Sequence, residues 1–287
     1  MSDVRGTAAL PGALLVALAG VLATAPAAAG QDWRTMTSAR QLWGTEPVAV
    51  EVEYGAGELD IGRESGSMLY SMELRYDEEQ SVPVAEFDSA ARRLKLGASS
   101  RRGNRKMREG STAKISLSDR IPLDLELHFG AGEADLDLGG LRLRRLDVET
   151  GASETTIRFD RPNPIRAREV ELSAGAAELE VIGLGNARAE RISFQGGVGA
   201  TTLDFGGAWV GDATASVQMG MGSVVLRFPR SLGVRISRSS FLTSFDAEGM
   251  VRRDGSYFSE NWDRAEHKLT VDVEAALGSI EIEWIGD

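Results

Sequence analysis

The sequence predicts an all-β fold, specifically a β-solenoid of repeating strand–glycine corner–strand units, on three observations. A short pattern recurs at near-constant spacing. Its flanks alternate with period two. No segment after residue 29 sustains a helical period. The pattern is an apolar residue, two residues, glycine, three residues, apolar residue. It reads Val52-Gly55-Leu59, Leu127-Gly130-Ala134, Val148-Gly151-Thr155, Leu172-Gly175-Leu179, Phe194-Gly197-Thr201 and Val217-Gly220-Val224. A seventh copy, Val273-Ala276-Ile280, has alanine in the glycine slot. From Gly130 onward the spacings are 21, 24, 22 and 23 residues, a period of stacked coils.

Each flank alternates as a strand with one buried and one wet face. Before Gly130, Leu123, Leu125, Leu127 and Phe129 share one parity, and Asp124, Glu126 and His128 the other. The inward residues lie at an odd offset across each glycine. A continuous strand would turn them to opposite faces, so the backbone makes a corner there. Glycine at φ > 0 is the expected means. Polar turns close each unit at Asp160 to Pro164, Gly183 to Asn186 and Gly206-Gly207. The like-for-like position of each glycine favours parallel stacking of coils. An antiparallel β-sandwich of bulged hairpins is the alternative.

Two stretches interrupt the period. Residues 60 to 120 hold strand-like runs at Leu69 to Tyr76, Leu94 to Leu96 and Ile115 to Leu117 without a clear glycine corner. Residues 229 to 268 hold Phe241, Phe245, Tyr257, Phe258 and Trp262 among Gly and Ser. Both read as caps, since a stack of coils needs its ends covered. Glu260 to His267 is the one stretch where a helical turn or two is expected.

The amino end reads as a signal peptide over 1–29. An uncharged Ala/Leu/Val run from Ala8 to Ala29 is broken by Pro26 and ends in three alanines. A retained anchor is the alternative. A leader over 30–45 and one solenoid domain over 46–287 follow. That domain divides into an N-terminal part (46–120), regular repeats (121–228) and a C-terminal cap with the last repeat (229–287). The expected location is periplasmic or extracellular, with no transmembrane segment after signal removal.

Composition narrows the function. The 287 residues contain no Cys, 2 His, 32 Lys+Arg and 43 Asp+Glu, for a net charge of -11. Disulfides and thiolate metal sites are excluded, and an acidic chain argues against nucleic acid as partner. No metalloprotease, serine-hydrolase or phosphate-loop motif is present. The acids Asp135, Asp137, Asp147, Glu149, Glu178, Glu180 and Asp204 invite comparison with polysaccharide-cleaving carboxylates. All fall on the solvent parity of their strands, which needs polar residues in any case. Gly196-Gly197-Val198-Gly199-Ala200-Thr201 resembles a calcium-binding repeat but has Thr where Asp is required. His128 shares the wet face with Glu126, and His267 falls on core parity before the last strand. No catalytic residue, cofactor or metal is therefore assigned.

The unusual local feature is basic. From Ala91 to Arg108 stand Arg92, Arg93, Lys95, Arg101, Arg102, Arg105, Lys106 and Arg108, with no acid. A solvated loop is the bland reading. The functional one is a landing site for an anionic envelope polymer or lipid headgroup, since guanidinium forks suit phosphate and carboxylate.

The run Ile121-Pro122-Leu123-Asp124-Leu125-Glu126-Leu127, followed by Gly130-Ala131-Gly132-Glu133-Ala134-Asp135-Leu136-Asp137-Leu138, resembles the toast-rack and LiaF-like C-terminal domains of bacterial envelope proteins. Gly55-Ala56-Gly57-Glu58-Leu59-Asp60 resembles their amino-terminal portion. Leu277-Gly278-Ser279-Ile280-Glu281-Ile282 resembles the close of related adhesin-like β-solenoids. The resemblance implies a non-catalytic extracytoplasmic β-solenoid. LiaF-type domains follow membrane helices and take part in sensing envelope stress; here a signal sequence stands in their place. The expected function is an exported, non-enzymatic envelope module, structural, adhesin-like or binding an anionic envelope component. The alternatives are an enzyme acting on surface polysaccharide and a soluble regulator of an envelope-stress sensor, with an envelope protein as its partner.

Overall fold

The apolar residues of the alternating runs all converge on one core, and a corner in each long strand is what allows it. The computed structural model describes residues 33–100 and 110–286, apart from the side chains of Ser240 and Phe241. The expected signal segment and Arg101, Arg102, Arg105, Lys106 and Arg108 lie outside the described residues. Asp32–Asp287 packs as one compact unit.

In chain order the strands are β1 (Trp33–Gln41), β2 (Val48–Glu64), β3 (Met68–Asp77), β4 (Ser81–Asp88), β5 (Arg93–Ser100), β6 (Thr112–Ser118), β7 (Pro122–Asp137) and β8 (Arg142–Arg158). Then come β9 (Ala167–Ile182), a one-turn helix α1 (Leu184–Ala187), β10 (Ala189–Asp204), β11 (Ala213–Pro229), β12 (Gly233–Asp246), β13 (Met250–Arg253), β14 (Ser256–Ser259) and β15 (Lys268–Ile285). The spatial order is β1-β3-β6-β2-β7-β8-β9-β10-β11-β15-β12-β14-β13. From β2 through β12 the long strands run parallel, so the coils form a solenoid and not a sandwich.

Each long strand bends into two arms. On the first arm Val50, Leu125, Leu146, Val170, Ile192 and Val271 stack inward at matching registers, each at most 2% exposed. On the second arm Leu59, Ala134, Thr155, Leu179, Thr201 and Val224 do the same. Each large aliphatic side chain so buried contributes about 1.5–3 kcal/mol. The turns between coils are stitched by Asn163, whose Nδ2 donates to the Leu143 carbonyl at 2.7 Å, and Asn186, which donates to the Phe159 carbonyl at 2.8 Å.

The corner itself corrects one expectation. Gly130, Gly151, Gly175, Gly197 and Gly220 stack in a column, yet none is left-handed. Positive φ falls two residues later, at Gly57, Gly132, Gly199, Gly222 and Gly278. The first column is glycine for space. A Cβ on Gly130 would strike the Gly55 carbonyl, and one on Gly151 the Gly130 carbonyl. The contact loosens to 2.6 Å at Gly197 and Gly220 and to 3.0 Å at Gly175.

The interruptions resolve into ends. β5 and β6 pair with the first and second arms of β2, so together they form the opening coil. The antiparallel strands β4 on β5 and β3 on β6 close it, with β1 outermost on β3. β1 lies within the stretch expected as a leader. At the other end the stretch expected as a cap contributes a further coil strand, β12. Only β13 and β14 cap it. β15, last in sequence, sits between β11 and β12. Glu260 to His267 forms turns and no helix, because two short β-turns carry the chain into β15.

Candidate functional site

The two-fold alternation turns every second first-arm residue outward, and the stacked coils align those residues in rows. Near the start of the first arm the rows form a groove of about 730 Å³ floored by Ala49, Val50 and Leu125. Five arginines face it: Arg93, Arg144, Arg145, Arg168 and Arg191. A register shift at Leu123/Asp124, opposite Arg144 and Arg145, turns both arginines outward. Arg144 holds Asp124 through two hydrogen bonds of 3.1 Å. Arg145 pairs with Glu171 and Asp147, and Arg191 with Glu169. Among the described residues, Arg93 and Arg168 make no salt bridge. Asp147 has its pKa raised, first by burial and then by neighbouring Glu171.

The basic stretch divides by role. Arg92 is left-handed at φ 50 and donates to the Pro47 and Glu46 carbonyls, so it braces a turn. Lys95 pairs with Glu51 at 2.9 Å. Arg93 reaches the groove. The other five cations lie outside the described residues, in the connection from β5 to β6.

His128 bridges two carboxylates on the same outer face, with Glu126 at 2.9 Å and Glu149 at 3.0 Å. Partial burial opposes its protonation, but the two carboxylate hydrogen bonds outweigh that and raise its pKa. His267 is half-buried in the bend before β15, and its carbonyl accepts from Gly233. Of the acids considered as cleaving carboxylates, four sit in strand-face ion pairs, Asp135 with Arg158, Asp147 with Arg145, Glu149 with His128 and Glu180 with Arg227, while Glu178 stands in a row of stacked glutamates. Asp137 and Asp204 accept from the backbone of their own turns. No metal-ligating group of three is present among the described residues, and no helix there is long and apolar enough to cross a membrane.

The sequence reading missed the corner row itself. The residue after the first glycine column lies in one row along the corner, exposed at Ala152, Ala176, Val198, Met221, Leu277 and Leu242, half-buried at Ala131 and packed partly against the core at Ala56. The signal was present at four of the eight coils, where Ala56, Ala131, Val198 and Met221 are the middle residue of a Gly-x-Gly.

This architecture of stacked, cornered strands has relatives. Residues 30–182 match the family described as the N-terminal domain of toast_rack, DUF2154. The chain belongs to this toast-rack family. Beyond residue 182, β10, β11, β15 and β12 continue the same parallel stack. One similar solved structure is titled a "putative cell adhesion protein" from Clostridium sporogenes. It is 17% identical, covers 88% of this chain and 100% of its own, and has a TM-score of 0.45. Another is titled a "putative adhesin" from Bacteroides fragilis, with 11% identity, 87% and 97% coverage and a TM-score of 0.39. No curated protein matches the chain.

Proposed function

We propose that this toast-rack protein is an exported, non-enzymatic module of the bacterial envelope that binds an anionic envelope component, a polymer or a lipid headgroup. The observation that carries the reading is Arg93. It belongs to the acid-free basic stretch and also lines the five-arginine groove, where it and Arg168 have no salt-bridge partner among the described residues. An anionic chain entering the groove gains two guanidinium forks there that no described salt bridge occupies. The Ala/Leu/Val segment at the amino end supports export. The ion pairs of Asp135, Asp147, Glu149 and Glu180 support binding over catalysis.

The test is co-sedimentation of the chain from Gly30 with isolated envelope fractions across a salt series. A variant with Arg93, Arg101, Arg102, Arg105, Lys106, Arg108 and Arg168 changed to Ala is run beside it. Sedimentation of the parent at low salt, lost in the variant and at high salt, supports the reading. Equal behaviour of the two overturns it.

A further inference from the structure

The corner row changes character along the solenoid. On β2, β7, β8 and β9 it is Ala56, Ala131, Ala152 and Ala176. On β10, β11, β15 and β12 it is Val198, Met221, Leu277 and Leu242, which are 54%, 50%, 45% and 63% exposed. These four strands are consecutive in the sheet, so their side chains form one apolar ridge about 14 Å long. Its flanks are Gln195, Gln218 and Ser239 on the first arm, and Ala200, Ser223, Ser279 and Ser244 on the second, with Glu274 the one charge. Apolar surface bordered by uncharged side chains is the composition of an interface centre.

The ridge ends at an open strand edge. Of the four arm ends, three are closed by antiparallel strands: β4 on the first arm, β3 and β1 on the second, and β14 with β13 on the first arm at the far end. The fourth is the second arm of β12. Among the described residues, Leu242–Asp246 pairs only with β15. The other outer strands carry guards against edge pairing: Pro83 and Glu86 in β4, Arg34 and Arg40 in β1, Arg252 and Arg253 in β13. Leu242-Thr243-Ser244 carries none; only Phe245, next to Asp246, is covered, by the Arg238 guanidinium at 4.9 Å and the Tyr257 ring at 4.8 Å.

We infer that the β12 end is an association surface for a second copy of this chain, joined by strand pairing along Leu242–Asp246 with the ridge alongside. An open edge calls for polypeptide backbone, which lipid does not supply. Four side chains bury far less than the roughly 1,200 Å² of a stable interface, so the ridge needs the strand pairing beside it. Two such edges related by a two-fold axis satisfy each other's donors and acceptors. Charge favours the same arrangement. Glu58, Glu133, Glu154 and Glu178 border the alanine half, and end-to-end pairing through β12 keeps these acids at opposite extremities.

The test is sedimentation velocity of the Asp32–Asp287 chain over a concentration series, beside the variants Leu242→Lys and Ser244→Lys. Both positions are exposed, and an unchanged thermal midpoint verifies their folding. Should either fail to fold, Ser279→Glu replaces it. The expected result is a monomer–dimer equilibrium weakened at least tenfold in both variants and insensitive to alanine at the five cations from Arg101 to Arg108. A parent that stays monomeric, or variants that associate like it, overturns the inference. Monomeric protein that binds neutral phosphatidylcholine vesicles through Leu242 overturns it in favour of a lipid-facing ridge.

Discussion

Along the corner, the coils of β2, β7, β8 and β9 and those of β10, β11, β15 and β12 share one backbone plan and present different surfaces. The first set shows alanines between Glu53, His128 and Glu149 on one side and Glu58, Glu133, Glu154 and Glu178 on the other. The second shows Val198, Met221, Leu277 and Leu242 between mostly uncharged side chains. The core behind both is equally apolar, so packing does not demand the difference. A solenoid coil is specified by its inward residues and its glycines. The outward corner position is left free, and here one half of the molecule is kept hydrated while the other is kept uncharged.

The first glycine column is also uneven, tight at Gly130 and Gly151 and looser from Gly175 onward, and this is where substitution has its largest effect. Gly151→Ala drives a methyl into the Gly130 carbonyl of the adjacent coil and is expected to cost about 3 kcal/mol. Gly220→Ala meets a carbonyl at 2.6 Å and is expected to cost about half of that. Urea unfolding midpoints compare them. Equal losses would mean the corner is uniform along the stack.

The glutamate row tests the charged half. Glu58, Glu133, Glu154 and Glu178 are exposed and directly stacked, an arrangement of like charges that opposes folding. Glu154→Gln is expected to raise the thermal midpoint by about 1–2 °C at low salt, with the gain shrinking as salt is added. Ser223→Glu, the counterpart change beside the apolar ridge, has one acid neighbour in Glu281 instead of a stack and is expected to leave the midpoint within about 1 °C. Differential scanning calorimetry reads both.

The smallest effect belongs to His128, which the second half lacks: its place in the row is taken by Gln195 and Gln218. Its folded pKa lies above 6.5, so its contribution is full below that value and fades as pH rises through the folded pKa. The site is part exposed, and the contribution is less than about 1 kcal/mol. His128→Gln is expected to remove a shallow decline in stability from about pH 6 to 8, read from unfolding midpoints at each pH. A slope unchanged by the substitution would assign the pH dependence to other groups.

Much of this molecule was legible from one sequence. Strict alternation around Gly130 identified the buried row of Leu123, Leu125, Leu127 and Phe129, because a strand turns its side chains with a period of two. The odd offset from Leu127 to Ala134 required a corner. Of the groove, Arg93 was singled out through its basic neighbours. Arg168 and Arg191 were not, because they come from coils a full period apart and meet only when the coils stack.

Local chemistry thus determined the arms, the corner and the wet and dry faces, since each depends on residues within one coil. Three features depended on pairing between residues distant in sequence, and tertiary structure decided them. It set the crowding that requires glycine at Gly130 and Gly151, through carbonyls of a neighbouring coil. It placed the last strand, β15, inside the stack, between β11 and the earlier β12. It brought Val198, Met221, Leu277 and Leu242 into one ridge, in an order the chain does not follow. A strand's sequence states which face it buries; which neighbour it meets is settled only by the closing of the sheet.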